Sequence, residues 1–414
     1  MKRRKVNVIA DGYSGNREYE GAVLELPATP YEIEDALQRA HVPEGGGYEL
    51  EGIGEWPSFL WYAIWETGNP AGVNVLGEMN LLADIVGQMD ELQLTVYEGA
   101  VQLLLEEKGG GSAKLKELIN LACGLDDYAF YPGVVNDISL GHACIQGSLL
   151  EFLVNLPDNV ASLLDPGKVG RMLRHSDHGV FTAHGYVYRN ANTGRELYDG
   201  ERLPACGESH SGLLSLWIEK ADAPDRNSRV WLELPAGEET IQGALLSIGA
   251  ESLAACRIVD VNSIIPAFRR RFGRKEDIRK LNMLAEYLKE IQQDPQSRLV
   301  LMKYKAALEL EQYPELDRML DIAVHLDRYN FNPDVVALDA YGESVLKSAG
   351  IDTQDPAFSH FNFKEYGKRQ LFKAGYVYTP YGAISRSGQE IAQEYMGQGH
   401  RSAACGEGMA YGTL

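Results

Sequence analysis

Four blocks of the sequence occur twice, in the same order and at nearly the same spacing. Residues 24–28 recur as 232–236, 80–83 as 282–285, 125–135 as 326–336, and 205–208 as 404–407. The offset between paired blocks falls only from 208 to 199 residues, so changes in loop length account for the differences. Such a period is far too long for a solenoid repeat. The pattern predicts a tandem-duplicated domain, or a duplicated pair of domains.

The length and the hydrophobic periodicity together predict an α+β fold of several domains. A chain of 414 residues is too long for one hydrophobic core. Helical periodicity dominates, and short strand patterns lie at the ends of the predicted units. We therefore expect an elongated, tandem-duplicated, multi-domain protein in which helices dominate and strands are short.

Composition shifts along the chain predict where its domains begin and end. A flexible Gly-Gly-Gly-Ser sequence at 109–112 indicates a boundary inside the first copy. The predicted segments are a basic N-terminal segment (1–20), an acidic first subunit (21–108), a second subunit (113–190), a polar linker (191–230) and the diverged second copy (231–414).

One helix start is marked clearly at the beginning of the first copy. Thr29 stands at the N-cap position, Pro30 at the first helical position and Glu32 at the third. This arrangement is a capping box, in which two side chains satisfy backbone N–H groups reciprocally. The periodicity predicts a helix to about Ala40.

Negative charge is concentrated in the first copy. The chain has a formal net charge of -20, and between Glu18 and Glu107 it contains 18 acidic residues and one basic residue, Arg39. Residues 201–414 contain 30 acidic and 25 basic residues. Such a charge repels phosphate backbones and anionic membranes, so we expect no direct nucleic-acid or membrane partner. It favours a partner with a basic surface.

The distribution of cysteine and apolar residues predicts a cytoplasmic protein. The five cysteines are odd in number and scattered, without paired metal spacing or a disulfide framework. The sequence contains no run of about 18 apolar residues, so it predicts no membrane span.

The polar residues do not form a recognisable catalytic motif. Histidines cluster near Asp177 and Cys144, but two histidines three residues apart in a predicted loop are a weak metal signal. Ser209 and His210 lack a nucleophile-elbow motif around the serine. We therefore predict a protein that is not an enzyme and has no metal or cofactor. The clustered histidines are His142, His175, His178 and His184.

A basic run between Arg269 and Lys280 interrupts the balanced second copy. It has three interpretations: a phosphate-binding site, a solvated helix start, or a docking site for the acidic half of the same or a neighbouring chain.

Several motifs of the first copy resemble those of the ArdA-like antirestriction proteins of mobile genetic elements. The resemblance covers most of residues 20–190, and the second copy resembles a diverged repeat of the same unit. The motifs are residues 26–40, 78–83, 136–137 with 140–141, 170–172 and 179–187. The resemblance implies an elongated acidic protein that mimics DNA, occupies the DNA-binding groove of type I restriction-modification enzymes and often forms a homodimer.

We therefore expect an antirestriction protein whose carboxylates stand in for DNA phosphates. The alternatives are an interaction or scaffold protein of a mobile element, an inhibitor of another DNA-handling defence complex, and a hydrolase that uses paired carboxylates. The candidate partner-binding residues are Glu32, Glu34, Asp35, Glu44, Glu49, Glu51, Glu55, Asp84, Asp90 and Glu91.

Overall fold

The computed structural model shows a mixed α+β architecture, which confirms the predicted fold class. It describes residues 3–13, 16, 19–70, 74–147, 153, 157–191, 196–203, 212–222, 228–389, 391 and 394–395. The repeated block at 205–208, its partner at 404–407, and Ser209 and His210 lie outside the described residues. None of the described helices is long and apolar enough to cross a membrane.

The chain divides into two compact units that do not coincide with the two sequence copies. The first unit contains residues 1–9, 23–28 and 47–207, and the second contains residues 10–22, 29–46 and 208–414. Two short segments of the first copy therefore belong to the second unit. The chain passes from one unit to the other five times.

The first unit contains two three-stranded sheets and the helices between them. Strands β1 to β3 pair in the order β2-β1-β3, and β4 to β6 pair in the order β4-β6-β5. The apolar face of α4 packs on α2, α5 and β6. The strands are β1 (Arg4–Ala10), β2 (Ala22–Leu26), β3 (Tyr48–Ile53), β4 (Tyr128–Pro132), β5 (Val180–Phe181) and β6 (Gly185–Arg189). The helices are α2 (Ser58–Trp65), α3 (Val75–Gln88), α4 (Glu91–Glu107), α5 (Leu115–Cys123), α6 (Asp137–Gly147), α7 (Asp158–Ala161) and α8 (Pro166–Asp177).

The second unit also contains two three-stranded sheets and the helices between them, together with α1 (Pro30–Arg39) from the first copy. Its sheets have the orders β8-β7-β9 and β10-β12-β11. Its main core joins the first of these sheets to the helices that follow it. The strands are β7 (Leu214–Lys220), β8 (Arg229–Leu234), β9 (Cys256–Ser263), β10 (Tyr329–Asn332), β11 (Val377–Thr379) and β12 (Gly382–Arg386). The helices are α9 (Glu238–Ile248), α10 (Phe268–Arg271), α11 (Ile278–Gln293), α12 (Ser297–Leu310), α13 (Leu316–Val324), α14 (Leu338–Ser348) and α15 (Phe363–Lys373).

Individual hydrogen bonds recur at matching places in the two copies. Asn80 on α3 donates to the carbonyl of Ala28 at 3.0 Å and accepts from its N–H at 2.6 Å. Asn282 on α11 bonds both backbone groups of Ala236 in the same way, at 3.2 and 2.8 Å. The repeated Asn therefore fixes the turn before a helix in each copy. The duplication itself stays a prediction, which superposition of residues 24–203 on residues 232–395 tests.

Two further bonds align the later elements of the copies. The Tyr97 hydroxyl of α4 donates to the Leu118 carbonyl at 2.9 Å, and the Tyr304 hydroxyl of α12 donates to the Met319 carbonyl at 3.0 Å. The Thr182 hydroxyl donates to the Gly185 carbonyl at 2.9 Å, as Thr379 does to Gly382 at 2.7 Å. In an alignment of the two copies, these bonds pair α4 with α12 and the β5–β6 turn with the β11–β12 turn.

Two predicted boundaries differ from the structure. The segment predicted as a linker, 191–230, contains β7, the central strand of a sheet. Polar residues such as Ser215 and Glu219 make the segment look solvent-exposed in the sequence, but both are buried. Glu219 is buried because it pairs with Arg229 and Arg257. The glycine sequence at 109–112 joins α4 and α5 inside one compact unit, so it is a tight connection and does not separate domains.

Candidate acidic interface

The ten candidate acidic residues are divided between the two compact units. Glu32, Glu34, Asp35 and Glu44 belong to the second unit, and the other six belong to the first. The structure therefore provides two groups of carboxylates where the sequence predicted one acidic subunit.

Charge is balanced between the units although it is unbalanced between the sequence copies. The first unit contains 23 acidic and 13 basic residues, and the second contains 36 and 26, so each carries a net charge of -10. The units are balanced because two segments of the first copy, residues 10–22 and 29–46, belong to the second unit. These segments contain seven acidic residues. An interface of either unit with a basic partner is electrostatically favourable.

Asp35 does not lie where a phosphate mimic must lie. Its side chain is 9% exposed, and its Oδ1 accepts a hydrogen bond from the Lys305 ammonium at 2.6 Å. Its Oδ2 accepts from the Arg39 guanidinium at 2.9 Å, and the Tyr381 hydroxyl donates to Oδ1 at 2.9 Å. Burial alone raises the pKa of the Asp35 carboxyl, but Lys305 and Arg39 outweigh burial and hold that pKa below its ordinary value. This carboxylate is an internal anchor of α1, so its assignment to the surface is corrected.

Glu32 and Glu34 are also engaged with basic groups of the second unit. Glu32 completes the predicted capping box, which the structure confirms, by accepting from the Thr29 N–H at 2.8 Å. Its other oxygen lies 3.9 Å from Arg269. Glu34 is half exposed, and its Oε1 lies 3.8 Å from Arg298. Both carboxylates are therefore partly neutralised within the unit, while Glu44 is exposed on the loop after α1.

The acidic residues of the first unit are more available to a partner. Glu51, Glu55, Asp90 and Glu91 are exposed. Asp90 caps α4 by accepting from the Gln93 N–H at 2.8 Å, and its carboxylate still reaches solvent. The remaining two accept hydrogen bonds from amide side chains: Glu49 from Asn69 at 3.2 Å and Asp84 from Gln88 at 3.0 Å.

This group belongs to a stretch of the sequence that contains no basic residue. Residues 47–107 of the first unit contain no Lys or Arg, and the next basic residue is Lys108. Ordinary protein surfaces mix charges of both signs. The exposed carboxylates of this stretch therefore have no basic neighbour in the sequence around them.

The basic run is largely used inside the second unit. Arg269 makes two hydrogen bonds to the Asp260 carboxylate, at 2.9 and 2.7 Å. Arg271 donates to the backbone carbonyls of Gln312 and Tyr313. Lys280 pairs with Asp317 at 2.5 Å. These contacts bind three residues of the run to groups of the second unit itself, and the interpretation of the run as a whole stays a prediction.

The histidine region does not assemble a metal site in the part of the chain that the structure describes. Cys144 is buried in an apolar cluster, and Asp177 accepts a hydrogen bond from Tyr186. His142, His175 and His184 remain exposed.

Lys305 and Tyr381 are two residues of the interface around α1 that sequence reasoning missed. Lys305 lies among Ala306, Ala307 and Leu308, and a lysine inside such an apolar helical run is the signal that a buried acidic partner exists elsewhere. No protein family, curated protein or solved structure matches this chain.

Proposed function

We propose that this protein is an inhibitor that binds the DNA-contacting surface of a restriction-modification enzyme of type I through its own acidic surface. The observation that carries the proposal is the exposed set Glu51, Glu55, Asp90 and Glu91 within a stretch that has no basic residue. Duplex DNA presents about one charge per 1.7 Å of its axis, and a protein built to hold DNA attracts closely spaced carboxylates for the same reason.

The proposal now rests on fewer residues than the sequence indicated. Asp35 is buried and paired, and Glu32 and Glu34 lie near arginines. Glu44, which is exposed, and Asp84, which accepts from a neutral amide, support the set in second place, and Glu49 lies in the same stretch as the set.

A competition experiment tests the proposal. A purified type I enzyme is incubated with fluorescent duplex DNA and increasing amounts of this protein. We expect a stoichiometric rise in the apparent DNA Kd, which weakens with salt because exposed charges are screened over about 8 Å at physiological ionic strength. A gel shift of DNA by this protein alone, or inhibition at ratios far below one to one, contradicts the proposal.

A charge-reversal pair locates the surface. The test variant carries Glu51→Lys, Glu55→Lys, Asp90→Lys and Glu91→Lys. The control variant carries Glu239→Lys, Glu251→Lys, Glu286→Lys and Glu290→Lys, which reverse four exposed acidic residues of the second unit. We expect the test variant to lose at least about tenfold more affinity than the control, corresponding to about 1.4 kcal/mol. Equal losses contradict the assignment of the first unit as the contact surface.

A further inference from the structure

In the second unit, one helix docks on another through charged residues, and this contact serves as the template for comparison with the first unit. Within this unit, α1 lies against α12 and the β11–β12 turn. Lys305 of α12 donates to Asp35 at 2.6 Å and to Gln38 at 2.9 Å. Arg298, about two turns earlier on the same side of α12, lies 3.8 Å from Glu34. Two acidic residues of one helix therefore meet two basic residues of another.

The corresponding face of the first unit has the opposite charge. Tyr97 of α4 and Tyr304 of α12 make the same hydrogen bond to the helix that follows. The residue after each tyrosine is Glu98 on α4 and Lys305 on α12. Seven residues before that position, α4 carries Glu91 where α12 carries Arg298. Both basic positions of the template are thus acidic in the first unit.

This face is less covered than its counterpart. Lys305 is buried, whereas Glu98 is partly exposed. Glu91 is exposed, whereas the Arg298 side chain is 27% exposed. At the turn, His184 is exposed and its counterpart Tyr381 is buried. In the second unit α1 covers this face. In the described part of the first unit, no hydrogen bond or ion pair joins the carboxylate of Glu91 or Glu98 to another helix.

We propose that Glu91 and Glu98 of α4, together with His184 of the β5–β6 turn, form a face that binds an amphipathic helix of a partner protein that carries two adjacent basic residues. Such a helix makes the α1 contact with the charges exchanged. The partner helix carries basic residues at the positions of Glu34 and Asp35. On α4, Glu91 and Glu98 occupy the positions of Arg298 and Lys305. Helix-in-groove recognition of this kind reads side chains on one helical face.

The helix that corresponds to α1 in the second copy does not have this chemistry. Gln242 and Gly243 of α9 align with Glu34 and Asp35, and neither is charged. A second copy of this chain presenting α9 therefore gives no ion pair with Glu91 or Glu98. A basic helix of a different protein fits the charge, and the inference does not depend on DNA mimicry.

Two synthetic peptides test the proposal on the full chain. The swapped peptide has the sequence of residues 29–42 with Glu34→Arg and Asp35→Lys, and the natural peptide is unaltered. Binding of the fluorescently labelled peptides is measured by anisotropy. Because opposite charges meet in one case and like charges in the other, we expect the swapped peptide to bind at least about tenfold more tightly than the natural peptide.

Variants of the chain provide the reciprocal test. The variant Glu91→Arg with Glu98→Lys gives the α4 face the charges of α12, so we expect it to prefer the natural peptide. The variant Glu66→Arg with Glu201→Lys makes the same net charge change at exposed positions elsewhere in the first unit and should keep the original preference. Circular dichroism and thermal unfolding verify that both variants are folded.

Three outcomes overturn the inference. They are equal binding of the two peptides to the natural chain, a preference that Glu91→Arg with Glu98→Lys leaves unchanged, and an equal effect of the control variant, which indicates general charge attraction. A tenfold preference that reverses only with the α4 variant supports it.

Discussion

Asn120 of the first unit and Asp321 of the second hold a returning segment of the chain in the same way. Asn120 Oδ1 accepts hydrogen bonds from the N–H groups of Leu197 and Tyr198, at 2.8 and 2.9 Å. Asp321 Oδ1 accepts from two consecutive N–H groups, those of 394 and 395, each at 3.0 Å. Asn120 also donates to the Tyr198 carbonyl at 2.9 Å. Asp321 has no donor, and its buried Oδ2 has no hydrogen-bond partner among the described residues.

Giving each of these two positions the residue of the other should change the free energy of unfolding in opposite directions. Asp321→Asn supplies the missing donor and removes a buried charge, so we expect an increase of about 1 kcal/mol in the free energy of unfolding. Asn120→Asp removes a donor and leaves the Tyr198 carbonyl unpaired, which should cost about 1–3 kcal/mol. Urea unfolding measures both changes, and hydrogen exchange at residues 394–395 and 197–198 shows whether they are local. Stabilisation by Asn120→Asp contradicts the comparison.

The buried ion pair of the second unit should be costly to break on one side only. Lys305→Met removes one of the two charged partners of the buried Asp35 carboxylate and leaves Arg39 and the Tyr381 hydroxyl, so we expect a loss of about 3–5 kcal/mol. Lys305→Met combined with Asp35→Leu removes both charges and should recover most of the loss. Denaturant unfolding of the two single variants and the double variant measures the coupling. Additive losses rule out a paired interaction.

The same pair predicts a direction of pH dependence. The pKa of Asp35 is lowered in the folded protein, so its stabilisation is present above the ordinary aspartate pKa of about 3.9 and is lost as the pH falls through the lower folded value. Asp35→Asn should therefore reduce stability at pH 7 and reduce it progressively less below about pH 4. Unfolding curves of the natural and variant proteins across this range check the sign. A difference that grows on acidification contradicts it.

Helix packing in the first unit predicts a strong effect of one added methyl group. A Cβ at Gly170 of α8 would clash with the Asp137 carbonyl of α6, so Gly170→Ala should destabilise the protein by about 1–3 kcal/mol or more. Gly243→Ala on α9 is the matched control, since a Cβ there meets nothing within 4 Å. It should stabilise the protein by about 0.5–1 kcal/mol through helix propensity. Thermal unfolding of both variants compares them.

Local features were the ones that the sequence predicted well. The capping box at Thr29 depends on residues three apart, so its pattern is complete within one helical turn. Asn80 and Asn282 belong to blocks that repeat in the sequence. The structure shows the role of these asparagines, because each side chain hydrogen-bonds both the N–H and the carbonyl of one backbone residue.

Distant partners explain what the sequence did not predict. Asp35 has the spacing of a surface acid on an amphipathic helix, yet its partners Lys305 and Tyr381 lie 270 and 346 residues away in the sequence. Glu219 looked like part of a polar linker because its two arginine partners belong to neighbouring strands. Burial of a charged residue depends on tertiary pairing, which periodicity does not contain.

The assignment of α1 to the second unit limits how this protein can be shortened. A deletion that removes residues 208–414 leaves α1 attached to the first unit without Lys305 and Tyr381, the distant partners of Asp35. A deletion of residues 1–207 strips the second unit of the carboxylate that neutralises Lys305. A gene encoding only one sequence copy therefore separates Asp35 from Lys305, so neither half keeps this buried ion pair.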